Sequence, residues 1–467
     1  MRFRVGRDAL GEAVAFVSRL LPARPVLPQL SCLLIEAGED GLTMSCFDYE
    51  ISARCRVEAE VAEPGTALVP GRLLAEITRS LPSRPVSFSS EADVLNLVCG
   101  GAEFGLVCLP LDEYPALPES PPMVFYVDGG VLASAVGQVG TSASRDDTLP
   151  MLTGICLDLD GDQLTLAATD RYRLAASRIP VTPDDADVRA LALVPARIMA
   201  EVARMLSAGV MVTVAFGVEG GGVDRRRSSG ASASASGAGV AAGAGDAQPH
   251  PADGLIGFEA GDRRLTARLI GGEFIKYQSR FTSDFACQAD LAPGPVIEAV
   301  RRASLVAERA GPVRLSFGDD QVVIEAHAEG RARAAEAVEA EFYGDQPVIS
   351  FNPHYLLDGL VAAAAAGEAL QSGRAHGGGA GSAGGSGSAA SGGDGSAGGD
   401  GSAASGGESA GGTVQAGRIR LLFNTAAKPA LLTWVERGPE GDETFDDDGG
   451  VPAFRYLLVP LRVPERT

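Results

Sequence analysis

Histidine is scarce in this chain: four in 467 residues, at positions 250, 327, 354 and 376. That scarcity removes most routes to general acid–base and zinc chemistry, and no HExxH, Walker loop, GxSxG or paired CxxC pattern supplies another. The seven cysteines are scattered without a CxxC pair and sit mostly in strand-like runs, as reduced small hydrophobes do. No stretch approaches the roughly 20 apolar residues of a membrane span. The opening "MRFRVGRDALGEAV" has no apolar core of a secretion signal. These absences lead to the expectation of a cytoplasmic protein with no membrane partner, no metal or cofactor, and no catalytic residues of its own.

What is abundant is glycine, alanine and acid. Two segments, 219–251 and 373–417, are Gly/Ala/Ser-rich and cannot bury enough apolar surface to offset the entropy of ordering them. They are expected to be disordered inserts. The formal net charge of −21 argues against a generally adhesive nucleic-acid binder, but not against one whose cations gather on a single surface.

With the first insert removed, a repeat appears. "LVPGRLLAEI", "LVPARIMAEV" and "SFNPHYLLDGL" contain Pro70, Pro195 and Pro353. Each proline precedes apolar residues at helical spacing that end at Ile77, Val202 and Leu360, and proline at a first turn is a helix-start signal. Once the 33-residue insert is discounted, the prolines are 125 residues apart in both intervals. A second helix opens each unit, and period-two strands such as Ile51, Ala53, Cys55 and Val57 fill the rest. The pattern predicts an α+β fold: three copies of a domain with two helices packed on antiparallel sheets. The expected boundaries are 1–121, 122–283 and 284–467. The six predicted helices (7–24, 72–84, 128–145, 195–207, 294–309 and 353–367) carry +4 together, leaving −25 for everything else. Two readings of that excess stay open: arginine is simply a good helix former, or the helices share a basic face.

"AATDRYRLAAS" (167–177) is the most unusual polar run, with Asp170 to Arg173 set between apolar halves. Together with "FNPHYLLDGL", the C-terminal "YLLVPLRV" and "RPVLPQLSCLLIE", it resembles the bacterial DNA polymerase III beta subunit, the sliding clamp. The resemblance covers the chain apart from the two inserts and the acidic "EGDETFDDDGG". It implies a head-to-tail homodimeric ring of six domains around double-stranded DNA, held without regard to sequence. It also implies DNA polymerase III, the clamp loader and other proteins with clamp-binding motifs as partners.

By that resemblance the DNA-facing residues are Arg24, Arg72, Arg79, Arg197 and Arg204, to which helix position adds Arg301 and Arg302. The implied partner-peptide pocket comprises Leu152, Thr169, Arg171, Tyr172, Arg173 and Leu174. It continues with Ile275, Ser279, Arg280 and Pro429, then Leu457, Leu458, Val459, Pro460, Leu461 and Arg462 on an edge strand. Arg173 and Arg462 are expected to hydrogen-bond the peptide. The implied dimer contact sets Phe104 and Leu106 against Ser304 and Leu305. The departures cluster at the pocket: Arg171 and Tyr172 stand where the family usually has Gly-His, and Ile275, Ser279 and Arg280 replace a proline, a basic and an apolar residue. The alternative function is a clamp-fold paralogue that binds partner peptides without being loaded on DNA.

Overall fold

Each of the three prolines marks the start of a helix. In the computed structural model, which describes residues 1–119, 121–218, 254–281, 284–307, 311–328, 331–345, 348–377, 417–425, 428–437, 443–444 and 453–461, Pro70 and Pro195 cap helices and Pro353 begins one. The first domain runs β1 (Arg2–Val5), α1 (Arg7–Ser18), β2 (Cys32–Gly38), β3 (Gly41–Phe47), β4 (Ile51–Val57), β5 (Ala59–Glu63), β6 (Gly65–Pro70), α2 (Gly71–Ser80), β7 (Val86–Glu91), β8 (Val94–Cys99) and β9 (Ala102–Val107). The second repeats it: β10 (Met123–Asp128), α3 (Gly129–Gly140), β11 (Gly154–Asp160), β12 (Gln163–Thr169), β13 (Arg173–Pro180), β14 (Thr182–Pro183), β15 (Arg189–Pro195), α4 (Ala196–Met205), β16 (Met211–Val218), β17 (Gly254–Ala260) and β18 (Arg263–Arg268). The third fuses two strands into one: β19 (Cys287–Leu291), α5 (Pro293–Val306), β20 (Val313–Phe317), β21 (Gln321–Ala328), β22 (Ala332–Tyr343), β23 (Val348–Phe351), α6 (Pro353–Gly377), β24 (Arg418–Phe423), β25 (Ala430–Arg437), β26 (Glu443–Thr444) and β27 (Phe454–Leu458).

The sheets do not stop at domain boundaries. Strand β18 of the second domain pairs antiparallel with β4 of the first, and β27 of the third pairs with β13 of the second. The two seams share one register. Leu265, third in β18, lies opposite Ala53, third in β4; Tyr456, third in β27, lies opposite Ala175, third in β13. Leu265 and Tyr456 are fully buried, and alanine on the facing strand leaves room for them. Beneath the sheets the helices pack in pairs, α1 with α2, α3 with α4 and α5 with α6. The pairs join sideways: Arg19 just after α1 reaches Glu201 of α4 at 3.9 Å, and α3 packs on α6. The helices thus form one layer ordered α2, α1, α4, α3, α6, α5.

Two expectations change. The C-terminal strand is not an edge: β27 lies between β13 and β25, with Leu458 fully buried. Helix α6 continues to Gly377, so residues 373–377, including His376, are helical, not part of an insert. The remainder of that segment up to 416, all of 219–251, and most of the acidic 440–450 run lie outside the described residues.

In the third domain the core contains a charge pair. Arg420 of β24 lies opposite Asp290 of β19 and donates to both carboxylate oxygens at 2.8 Å, with both side chains almost wholly buried. Removing one partner strands the other in a low-dielectric interior. Arg420→Met is therefore expected to lower stability by about 3–5 kcal/mol, read as a fall in the urea midpoint. Adding Asp290→Asn should recover much of that loss; a single-mutant loss below about 1 kcal/mol would contradict the assignment.

Candidate partner pocket and helix-lined face

The turn Asp170–Tyr172 is built from its own polar atoms. Asp170 Oδ1 accepts from the backbone N–H groups of Tyr172 and Arg173, both at 3.0 Å. Thr169 Oγ1 donates to the Arg173 carbonyl at 2.6 Å and accepts from the Arg171 N–H at 3.2 Å. This winding forces Arg171 to φ +80°, the left-handed region that favours glycine. The matching turn of the first domain, between β3 and β4, does the same with Tyr49 at φ +74° and Asp48 Oδ1 accepting two N–H groups.

The turn and the C-terminal strand meet, although nearly 290 residues separate them. Leu174 is opposite Leu457, Arg173 is opposite Leu458, and the Val459 N–H donates to the Tyr172 carbonyl at 2.9 Å. On the other side of β27, Ala430 is opposite Leu458, which brings Pro429 to the same corner. Leu174 and Leu457 belong to an apolar cluster with Cys156, Ala167, Leu193, Tyr277 and Leu431, against which Phe274, Ile275 and Phe281 pack. The loop carrying Ile275 is pinned by Asp158, whose Oδ2 accepts from the Tyr277 hydroxyl at 2.7 Å and the Gln278 amide at 2.8 Å. Burial, then this carboxylate, pushes the Tyr277 phenol well above its ordinary range. Pro460 and Leu152 are also buried, and Leu461 is half-buried with its N–H bonded to the Ser350 carbonyl. Tyr172, Arg171, Val459, Pro429, Ser279 and Arg280 are exposed around them. The result is an apolar floor within a rim that mixes polar residues with Val459 and Pro429.

Arg173 does not play the part expected of it. Its guanidinium ion-pairs with Asp170 at 2.9 Å and Asp358 at 2.6 Å, donates to the Thr141 carbonyl, and lies 4.3 Å from the Tyr355 ring centroid. The side chain is nearly buried, so it braces the second domain against α6 and has little capacity left for a peptide. Arg462 lies outside the described residues. The pattern reading missed Tyr355, whose ring stacks on Tyr172 at 6.3 Å and whose carbonyl accepts from the Tyr456 hydroxyl at 2.7 Å. Its signal was its place in the first turn of a helix meeting the polar run.

On the helix layer, Arg72 and Arg79 of α2 and Arg197 and Arg204 of α4 are exposed, seven residues apart in each helix and so on one face. Arg24 is exposed beside them, where Arg72 donates to the Pro22 carbonyl at 3.1 Å. Arg204 is partly neutralised by Glu201. The two arginines added from helix position fare worse. Arg301 pairs with Glu298, and Arg302 forks onto Glu336 of β22 at 2.6 and 3.0 Å, which turns it toward a strand and away from the helix face. The expected dimer residue Leu106 is 1% exposed and belongs to the core of its own domain. Phe104 is half-buried, Ser304 bonds the Arg301 carbonyl, and Leu305 stands 82% exposed. Among the described residues no acidic, His or Cys group is arranged to hold a metal, and no helix is long and apolar enough to cross a membrane. Burial pushes the Cys46 thiol up to about 12.

Because the turn holds a non-glycine residue at positive φ, Arg171→Gly should raise stability by roughly 0.5–1 kcal/mol, the left-handed penalty less the entropy cost of glycine. An unchanged or lowered thermal midpoint would contradict that strain.

Three models of the DNA polymerase III beta subunit match consecutive stretches: the N-terminal domain at residues 1–118, the central domain at 126–276 and the C-terminal domain at 282–367. The chain is 46% identical to the beta sliding clamp of Streptomyces coelicolor, over 99% of this chain and 100% of that protein. It is 38% identical to the beta sliding clamp homolog GriR of Streptomyces muensis, over 77% and 88% of the two chains. Among solved structures it shares its fold with the beta subunit of Streptococcus pyogenes DNA polymerase, at TM-score 0.72 and 18% identity, covering 99% of this chain and all of that one. The Bacillus subtilis sliding clamp gives TM-score 0.71 at 21% identity, with 99% of each chain covered. Whole-length relatedness on this scale places the chain in the bacterial DNA polymerase III beta subunit family, the beta sliding clamps, which are processivity factors and not enzymes.

Proposed function

We propose that two copies of this chain close head to tail into a ring that encircles duplex DNA, slides without reading sequence, and tethers DNA polymerase III, the clamp loader and other partners through the pocket at Leu174 and Leu457. The carrying observation is the repeated seam. Each internal junction pairs the last strand of one domain with the strand that follows the polar turn of another, alanine against a large apolar side chain. One strand of each kind is left over: β9 ends its sheet, and the Ala332–Glu339 part of β22 has only β21 beside it among the described residues. Applying the same register sets Ala334, third in β22, opposite Phe104, third in β9, of a second copy.

Burial differences support this closure. Ile198, third in α4, is 5% exposed, whereas its counterpart Leu73 in α2 is 47% exposed. Leu73 and Phe104 mark one open end, and Leu305 marks the other. Covering each leucine is worth about 1.5–3 kcal/mol. Leu106 takes no part in this version of the interface. The helix layer would then line the hole, with Arg24, Arg72, Arg79, Arg197 and Arg204 near DNA phosphates. Arg301 and Arg302 contribute less because of their carboxylate partners. The domain limits 1–121, 122–283 and 284–467 and a cytoplasmic location belong to the same reading.

Wild-type protein should have the mass of a dimer in solution. Leu305→Glu and Leu73→Glu should each shift it toward monomer without loss of helix signal, since both side chains are exposed in the single chain; dimers that persist in both variants would refute the seam. For DNA, Arg24→Glu with Arg197→Glu should sharply reduce loading and flatten its salt dependence, each lost phosphate contact lowering the slope by about 0.9. Unaltered loading would remove those arginines from the DNA face.

A further inference from the structure

Lysine occurs twice in the chain, at Lys276 and Lys428, among 39 lysine and arginine residues. Everywhere else a positive charge is supplied by arginine. Arginine matches lysine in charge but stays protonated, whereas a lysine amine can lose its proton and act as a nucleophile. The two lysines are far apart in sequence, yet both border one apolar cluster. Lys276 lies between Ile275 and Tyr277, which pack in that cluster. Lys428 precedes Pro429 and Ala430, the latter opposite Leu458, and Leu431 belongs to the cluster itself. Both lysines are exposed, and neither side chain is in an ion pair or hydrogen bond among the described residues.

We propose that Nε-acylation of Lys276 and Lys428 is a charge switch on partner docking at this pocket, an inference that rests on the pocket reading above. The acyl donor is an acyl phosphate. The deprotonated amine attacks the donor's carbonyl carbon, an N–C amide bond forms, the C–O bond to phosphorus breaks, and inorganic phosphate leaves. The displaced amine proton passes to solvent. Each event converts an ammonium with three donors into a neutral amide with one. No other ε-amine exists in the chain, so every acylated lysine lies at this rim without any requirement for a recognition sequence. The partners most affected are those carrying carboxylates beside their apolar anchor. Losing two exposed attractions corresponds to roughly three- to tenfold weaker binding of such a peptide.

The test uses the intact dimer, acetyl phosphate, and two synthetic peptides with a leucine–phenylalanine anchor, one flanked by two aspartates and one by two asparagines. Mass spectrometry should find acetyl groups on Lys276 and Lys428. Affinity for the aspartate peptide should fall three- to tenfold, with little change for the asparagine peptide. The Lys276→Arg, Lys428→Arg double variant keeps both charges but has no ε-amine, so its affinity for the aspartate peptide should be the same before and after treatment, while its α-amine still reports reagent activity. Lysines that stay unmodified while the α-amine reacts would overturn the proposal. So would aspartate-peptide binding that is unchanged by double acetylation. Failure of the untreated protein to bind either peptide would instead overturn the pocket reading, and the switch with it.

Discussion

A sheet edge is a row of unpaired N–H and C=O groups, and proteins rarely leave a long one open. In this chain that constraint organises everything above the level of a single domain. The first and second domains are joined through β4 and β18, the second and third through β13 and β27, by continuous antiparallel ladders. A ladder fixes distance and register together, so each junction sets the next domain at a repeatable position. The helices beneath follow, and Arg19 to Glu201 and the α3–α6 contact are consequences of that placement. Among the described residues the leftover strands are β9, which ends its sheet, and the part of β22 that has only β21 beside it; in the proposed ring these two form a third junction between copies.

The pocket grows from the same junction. Its floor is the outward face of the β13–β27 ladder, where Leu174 and Leu457 sit opposite each other. The inward face of that ladder holds Tyr456 and Leu458 in the core. Alternation along two strands thus gives one face to the core and the other to the proposed partner pocket. Arg173 clarifies the division: it sits in the polar turn but ties Asp170, Asp358 and Tyr355 together, so its charge serves the junction. Beside it Arg171 and Tyr172 are exposed.

Much of this was legible in the sequence, for reasons that are physical. The prolines at 70, 195 and 353 revealed three domains because helix starts are local events. The run 169–174 drew attention because polar residues broke an apolar alternation, and the resemblance joined it to 457–462. What sequence did not reveal was direction. Leu106 and Phe104 share one face of β9, but the tilt that buries the first and leaves the second half-open depends on domain packing. Arg302 looked like a channel residue from its helix, yet Glu336 on a neighbouring strand turned it aside. The length of α6 was also hidden, since an alanine-rich helix passes into a Gly/Ser/Ala segment without a compositional stop.

Topology measures the proposed enclosure of DNA most directly. Protein loaded on a nicked circular plasmid should remain bound through a high-salt wash that strips ordinary phosphate contacts, then dissociate within minutes of cutting the plasmid once. Rapid loss from the intact circle would contradict a closed ring, and equal retention on cut and uncut DNA would contradict sliding.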